Sequence, residues 1–363
     1  MKIGLVIYGD LDLVSGGYLY DRMLVGHLKG RGARIDILSL PARSYGLLLA
    51  DNLSGALPRA VKAHGFDLLL EDELNHPSLF YLNRRLRKVL KGPIIAIVHH
   101  LRSSEPRPAW QNAFYRRVER RYLEGVDGFV FNSDTTRLAV ETVLGTTPPS
   151  VVALPGGDHL LPRLDDGALA RRCHEAGPLR ILFVGNVIPR KGLHTLLAAL
   201  DRLRRESWLL TVAGSLSADR RYAARIRRRI SRSGFDRRVT LLDTVPTGRI
   251  SDLMETHQCL AVPSYYEGYG IAYLEAMGFG QPLIASRAGA APEGIDDGRE
   301  GFLVAPGDSE GLAEAIGRLL RDRTLLETMS RAARARYRGH PPWAAGMARV
   351  EDFLERMAGK RSG

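Results

Sequence analysis

Two glutamates, Glu267 and Glu275, stand in the stretch 263–282, PSYYEGYGIAYLEAMGFGQP, with Gly268 and Gly270 just inside the first. Carboxylates accept paired hydrogen bonds from vicinal hydroxyls, which sugars and riboses offer. The amides of Gly268, Tyr269 and Gly270 can cradle a phosphate, because glycine lets an anion approach the main chain. An apolar run at 259–262 reads as a buried strand feeding this loop, and helical spacing begins at Ile271. Strand, glycine turn and helix start bring amide N–H groups and the positive end of a helix dipole to one place. That chemistry suits a ligand carrying both phosphate and vicinal hydroxyls, as a nucleotide sugar does.

Upstream, Gly185-Asn-Val-Ile-Pro-Arg190-Lys191-Gly192 follows an apolar run and precedes helical spacing from Leu193. Arginine through its fork and lysine as a point charge can together neutralise a diphosphate. Near the N-terminus, the loop 9–17 closes on Ser15-Gly16-Gly17 ahead of a helix from about Tyr18. The run 94–98 leads into His99-His100, whose side chains point in opposite directions if the strand continues. Such a pair caps a strand, faces a ligand or binds a metal. No Asp, Glu or Cys stands at ligand spacing from it, so no metal is expected there.

These segments together resemble the retaining GT-B glycosyltransferases of glycosyltransferase family four, also described as glycosyl transferases group 1. The Glu267 and Glu275 pair, the LEAM run and the Gly-Gln-Pro that ends in Pro282 match its Glu-x7-Glu signature region, which extends to Pro306. The resemblance implies that Glu267 touches the donor hexose and Glu275 the ribose hydroxyls. It implies that Arg190 and Lys191 bind the donor diphosphate and stabilise the departing nucleoside diphosphate. Gly16 and Gly17 then correspond to paired glycines near the phosphates and acceptor, His99 faces the donor sugar, and Thr244 and Val245 lie where the nucleobase is read. Asn132-Ser133 and Pro155-Gly156-Gly157-Asp158 also resemble family positions. Asp10-Leu11-Asp12 spells the Asp-x-Asp pair by which GT-A enzymes hold manganese, but it lies in a loop before paired glycines, so it is discounted.

The elements that must position these residues alternate from end to end. Short β-branched runs at 3–8, 34–38, 67–70, 94–98, 128–131 and 151–154 are followed, after a break, by runs at 181–184, 208–213, 239–242, 259–262, 283–285 and 302–304. Strands alternating with helices argue for parallel sheets covered on both faces, whose ligands bind at the carboxyl ends of the strands. The expected fold is α/β of the GT-B type, with two Rossmann-like domains facing across a cleft. Residues 1–155 form an acceptor-binding domain, 156–178 a linker without clear period, and 179–338 a nucleotide-sugar-binding domain. Residues 339–363 carry an amphipathic helix, around Trp343, Met347, Val350, Phe353 and Leu354, that crosses back to the first domain.

The 363 residues, 45% hydrophobic and 25% charged, suit an ordinary two-domain globular protein. No apolar run reaches the roughly 20 residues of a membrane span, and MKIGLVIYGD reads as a first strand, not a signal peptide. Cys173 and Cys259 alone make neither a disulfide framework nor a four-ligand zinc site, so a cytoplasmic protein is expected, with a peripheral place at the inner membrane face as an extension. The net charge of +12 gathers in three clusters. They are Arg84, Arg85, Arg87, Lys88 and Lys91 beside Leu82, Leu86, Val89 and Leu90; Arg116, Arg117, Arg120 and Arg121; and the run 220–238. The first, a basic helix with an apolar face, is either a solvated face over a packed core, the ordinary case, or a surface for anionic lipid headgroups; the second reading tilts the acceptor towards a lipid-linked or cell-envelope glycan.

Expected partners are a UDP- or GDP-linked hexose and an acceptor glycan, lipid-linked saccharide or small molecule, with no cofactor, no metal and no nucleic acid. The alternatives are a basic membrane-surface or nucleic-acid-binding module on the same scaffold, or a GT-B sugar-nucleotide epimerase. Tyr273 occupies the place of the third glycine of a dinucleotide fingerprint, and no Walker A or Gly-x-Ser-x-Gly sequence occurs.

Overall fold

A computed structural model of the chain describes residues 1–359; residues 360–363, the end of the expected segment 339–363, lie outside the described residues. Two compact units emerge: Met1–Pro155 together with the segment from Pro341, and Gly156–His340. Each holds one six-stranded sheet. All paired strands in both run parallel. This is the α/β architecture expected from the sequence.

In the first unit the strands are β1 (Lys2–Tyr8), β2 (Arg34–Leu40), β3 (Leu68–Asp72), β4 (Ile94–Val98), β5 (Gly128–Phe131) and β6 (Ser150–Val152), in the order β2-β1-β3-β4-β5-β6. The central strands β3, β4 and β5 are buried along their whole length, as near-continuous apolar runs between two helix layers must be. In the second unit they are β7 (Leu179–Val184), β8 (Trp208–Ala213), β9 (Val239–Leu242), β10 (Cys259–Val262), β11 (Leu283–Ser286) and β12 (Gly301–Val304), in the order β12-β11-β10-β7-β8-β9. The chain order reverses between β1 and β3 in one sheet and between β7 and β10 in the other. At such a reversal the loops leaving two adjacent strands diverge, and a crevice opens at their carboxyl ends.

The C-terminal helix Trp343–Gly359 belongs to the first unit. Its buried face, Trp343, Met347, Val350, Phe353 and Leu354, is the amphipathic stripe read from the sequence. Trp343 meets the Tyr20 ring edge-on at 5.7 Å, and His27 bonds Glu351 at 2.9 Å.

One expectation needs correction. Residues 156–178 are no unstructured connection, because they carry the helix Asp166–His174, capped by the Asp165 side chain on the Ala168 amide. Leu169 and Cys173 of that helix enter the second unit's core. Arg172 is buried and donates to the carbonyls of Met254, Phe279 and Gly280, at or just beyond the C-terminal ends of two helices. Burial without a carboxylate partner lowers its pKa to about 10, and the carbonyls of the helix ends take the charge instead. The sequence hid this helix because it is short and its polar face dominates.

Of the two readings of the basic run 82–91, the packed-core one holds and the membrane helix does not. Only Asn83–Leu86 is α-helical, and Leu82, Leu86 and Leu90 are core residues. Arg85 donates to the Asn52 and Ser54 carbonyls, while Arg87 grips Asp127 with both of its carboxylate oxygens at 2.9 and 3.1 Å and also holds the Gly125 carbonyl. These cations fasten the unit from within.

Candidate active site

The β7/β10 reversal assembles the first group. After β7 the chain makes a single 3-10 turn, Pro189–Lys191, and enters the helix Leu193–Arg202 through Gly192. After β10 the loop 263–270 leads into the helix Ile271–Gly278. Gly192 has φ +71°, and a Cβ there would lie 2.0 Å from the Pro263 carbonyl oxygen, so only glycine lets the two loops touch. The Tyr265 amide donates to the Arg190 carbonyl at 2.7 Å, and the Arg190 guanidinium returns a bond to the Tyr266 carbonyl at 2.6 Å.

Across this seam Lys191 Nζ donates to Glu267 Oε1 at 2.6 Å, and Ser264 Oγ donates to the same oxygen at 2.5 Å. Arg190 Nη1 stands 3.6 Å from Glu267 Oε2. Burial alone would raise the Glu267 pKa, but Lys191, then Arg190, and the two hydrogen bonds bring it down to about 2. Burial outweighs the attraction of Glu267 and lowers that of Lys191. Two cations against one carboxylate leave a surplus positive charge. Ser264 and Gly289 escaped the sequence reading. At Gly289, with φ +59°, a Cβ would sit 2.0 Å from the Glu267 carbonyl oxygen, which instead accepts from the Ala290 amide. Serine three residues before the glutamate was a readable signal, whereas the glycine after β11 was not.

Gly268, Tyr269 and Gly270 line the same loop, and the Gly270 N-cap, with φ +89°, offers the helix no side-chain cap. The first-turn amides of an uncapped helix can bond an anion. Tyr269 Oη pairs with His340 Nε2 at 3.3 Å. Glu275 does not join the Glu267 network. It lies on the helix Ile271–Gly278, buried, with Oε1 bonded to His159 Nε2 at 2.9 Å. His159, just past the Gly-Gly-Asp run, was not anticipated. Thr244 and Val245 follow β9, three strands from β10 in sheet order, and no bond links their side chains to the Glu267 group among the described residues. The exposed Thr244 gives its amide to Asp243 Oδ1, which also takes the Leu216 amide.

In the first unit His99, just past β4, is buried and bonds Asp21 through Nε2 at 3.2 Å. A Cβ on Gly17 would lie 2.9 Å from His99 Cδ2, so this glycine makes room for the ring. Gly16 opens the helix Gly16–Gly30 behind the Ser15 cap. Asn132 supports the same strand end by donating to the His99 carbonyl at 3.0 Å. Burial disfavours the imidazolium, but Asp21, Asp72 and Glu73 prevail and raise the His99 pKa to about 9. His100 instead pairs with Glu105 at 2.9 Å.

Carboxylates that the sequence spacing of the histidine pair does not show nonetheless lie near His99 in space. Atoms of Asp21, Asp72 and His99 lie within 4.8 Å of one another, as do those of Glu73, His76 and Glu119. Linear spacing could not show this, since three separate elements converge in each group. In the second group both His76 nitrogens are engaged, Nδ1 by the Glu73 carbonyl and Nε2 by Tyr45 Oη, each at 3.0 Å. With Nδ1–H given to the carbonyl, the Nε2 lone pair accepts from Tyr45 Oη, which would have to turn away before a cation could bind.

Residues 171–336 match the family model for glycosyl transferases group 1, and residues 22–158 match that for glycosyltransferase family 4. The glycogen synthase of Mycobacterium tuberculosis is 33% identical over 196 residues, 53% of this chain and 46% of that protein. The GDP-mannose-dependent alpha-(1-6)-phosphatidylinositol monomannoside mannosyltransferase of that species is 29% identical over 252 residues, 66% of this chain and 64% of its own. The chain thus spans between about half and just under two thirds of the length of these curated relatives. The structure of sucrose-phosphate synthase from Thermosynechococcus elongatus superposes with a TM-score of 0.83 at 21% identity, covering 99% of both chains. HepE of Anabaena in complex with UDP and glucose gives 0.77 at 20% identity, over 98% of this chain and 100% of its own. The fold is therefore GT-B. A glycosyltransferase family model is thus matched in each half of the chain, family 4 in the first and group 1 in the second.

Proposed function

We propose that the chain transfers a hexose from a nucleoside-diphosphate sugar to an acceptor hydroxyl with retention of anomeric configuration. The observation that carries this reading is the Arg190, Lys191 and Glu267 group at the β7/β10 reversal, a surplus cation charge beside the uncapped helix Ile271–Gly278. Arg190, Lys191 and the amides of Gly268, Tyr269 and Gly270 hold the diphosphate and stabilise the charge it gains as it leaves. Glu275 takes the ribose hydroxyls, and Thr244 and Val245 border the nucleobase. HepE, solved with UDP and with UDP-glucose, and the GDP-mannose-dependent relative support a nucleotide-sugar donor and leave UDP and GDP as the two candidates.

A carboxylate held near a pKa of 2 is a poor proton acceptor, so Glu267 positions the hexose and does not serve as base. The departing phosphate takes the acceptor proton instead. The bond from the anomeric carbon to the phosphate oxygen breaks with its electron pair on the phosphate, and the acceptor oxygen bonds the same face of that carbon. His99, protonated through Asp21, is the first unit's candidate for a hydrogen bond to a sugar hydroxyl. The acceptor, in this proposal, is a glycan or lipid-linked saccharide of the cell envelope, and the protein works on the cytoplasmic side. No described helix is long and apolar enough to cross a membrane.

The test uses water as acceptor. The protein is incubated with UDP-glucose or GDP-mannose, and nucleoside diphosphate release and the anomer of the freed hexose are followed by NMR. Release from one donor with the α-anomer formed first is expected. The β-anomer formed first overturns retention, and neither binding nor turnover of either donor overturns the transferase reading.

A further inference from the structure

The helix Ala109–Leu123 has a solvent face of unusual composition. Trp110 is 71% exposed and Phe114 is 47% exposed. Ala109 and Ala113 share this exposed N-terminal part of the helix. The rings continue onto a neighbouring element, since Phe114 meets Tyr45 at 6.1 Å, and Leu47, 58% exposed, lies on the helix that Tyr45 begins. Farther along the same helix Arg116, Arg117, Arg120 and Arg121 are exposed. Arg120 pairs with Glu124 at 2.9 Å, while Arg116, Arg117 and Arg121 form no ion pair among the described residues.

Single exposed apolar residues are ordinary, but an exposed tryptophan with a phenylalanine one turn on and unpaired arginines beyond is a patterned surface. Trp110, Phe114, Arg117 and Arg121 fall at i, i+4, i+7 and i+11, one continuous line about 16 Å long. The apolar and basic parts are segregated along that line, not interleaved. Base stacking along a single strand suits aromatic and cationic side chains alternating along a groove. A bilayer presents the opposite order, apolar depth on one side and anionic headgroups on the other, and aromatic side chains settle at that boundary.

We infer that this face docks on an anionic lipid bilayer, with Trp110, Phe114 and Leu47 entering the headgroup boundary and Arg116, Arg117 and Arg121 meeting lipid phosphates. It relocates the membrane surface from the run 82–91, whose leucines are core, to a helix whose aromatics face solvent. It places lipid contact on the unit that carries His99. The purpose it serves rests on the transferase reading, but its test uses no donor, so the two fail separately.

The full chain is sedimented with vesicles of phosphatidylcholine alone and of phosphatidylcholine mixed with phosphatidylglycerol, at low and high salt. Binding to the anionic vesicles that weakens with salt is expected. Trp110→Ala with Phe114→Ala should reduce partitioning at least about tenfold, and Arg116→Glu with Arg117→Glu and Arg121→Glu should abolish the preference for anionic lipid. Both variants alter exposed side chains, so an unchanged melting temperature checks that they fold. Equal binding to both vesicle types, or wild-type partitioning by the aromatic variant, overturns the inference. So does a solution dimer, or a complex with single-stranded RNA, that the same aromatic substitutions dissolve while vesicle binding persists.

Discussion

In the second unit a buried glutamate meets two cations and settles as a carboxylate, whereas in the first unit Asp21, Glu71, Asp72, Glu73 and Glu119 are all buried with far fewer cations to meet them. Burial raises the pKa of Glu71 and Asp72 to about 7 and of Glu73 to about 8, and leaves one oxygen of each of the five without a hydrogen-bond partner. For Asp72 the nearby Asp21 charge adds to burial. One region is built around a fixed ion cluster suited to a charged ligand. The other holds carboxyls whose proton affinity burial raises, beside the raised imidazole of His99. Preorganised charge and protonatable carboxyls thus sit in separate units.

The largest effect should come from the fixed cluster. Lys191→Met removes a cation from beside Glu267 and should lower kcat by about 10² to 10³, whereas His99→Gln should cost less. An equal or greater loss at His99 would break the contrast. Next, Arg172→Met leaves carbonyls at two helix ends without their donor and should destabilise the second unit by about 3 kcal/mol, read in thermal unfolding, with the first unit's exchange protection unchanged.

Solution pH separates the units in opposite directions. The raised Glu71, Asp72 and Glu73 favour folding in their protonated forms, so their contribution is present below the ordinary carboxylate range and is lost as pH rises through 7 to 8. His99, raised, contributes fully below its ordinary value and loses that as pH passes about 9. The depressed Glu267 contributes above its ordinary value and loses this as pH falls towards 2. Hydrogen exchange, corrected for intrinsic rates, should therefore show the first unit loosening progressively from about pH 5 to about pH 9, through the carboxyls first and His99 last, while the second holds. Simultaneous loosening would remove the distinction. The smallest effect is expected at Glu275→Ala, which loses hydroxyl contacts and should weaken nucleotide binding about tenfold without changing the anomer formed.

Periodicity made the strands legible, because parallel strands covered on both faces are apolar runs between turn residues. The runs at 94–98, 128–131, 208–213, 239–242 and 259–262 coincide with β4, β5, β8, β9 and β10. Arg190, Lys191 and Glu267 were legible as types in context, and the fold adds that they touch. What stayed hidden is what depends on three dimensions. Nothing local says that Asp21, Asp72 and Glu73 surround His99, that His159 reaches Glu275, or that Gly289 backs Glu267. The run 82–91 left two readings open because a leucine stripe beside arginines has the same spacing whether it faces lipid or core.

The most direct test is a calorimetric titration of UDP and GDP into the wild type, the Arg190→Ala/Lys191→Ala double variant and His99→Ala. One nucleotide should bind the wild type and His99→Ala with similar affinity, and the double variant should lose that binding. A double variant that binds as tightly as the wild type would contradict the assignment of the diphosphate to the β7/β10 cluster.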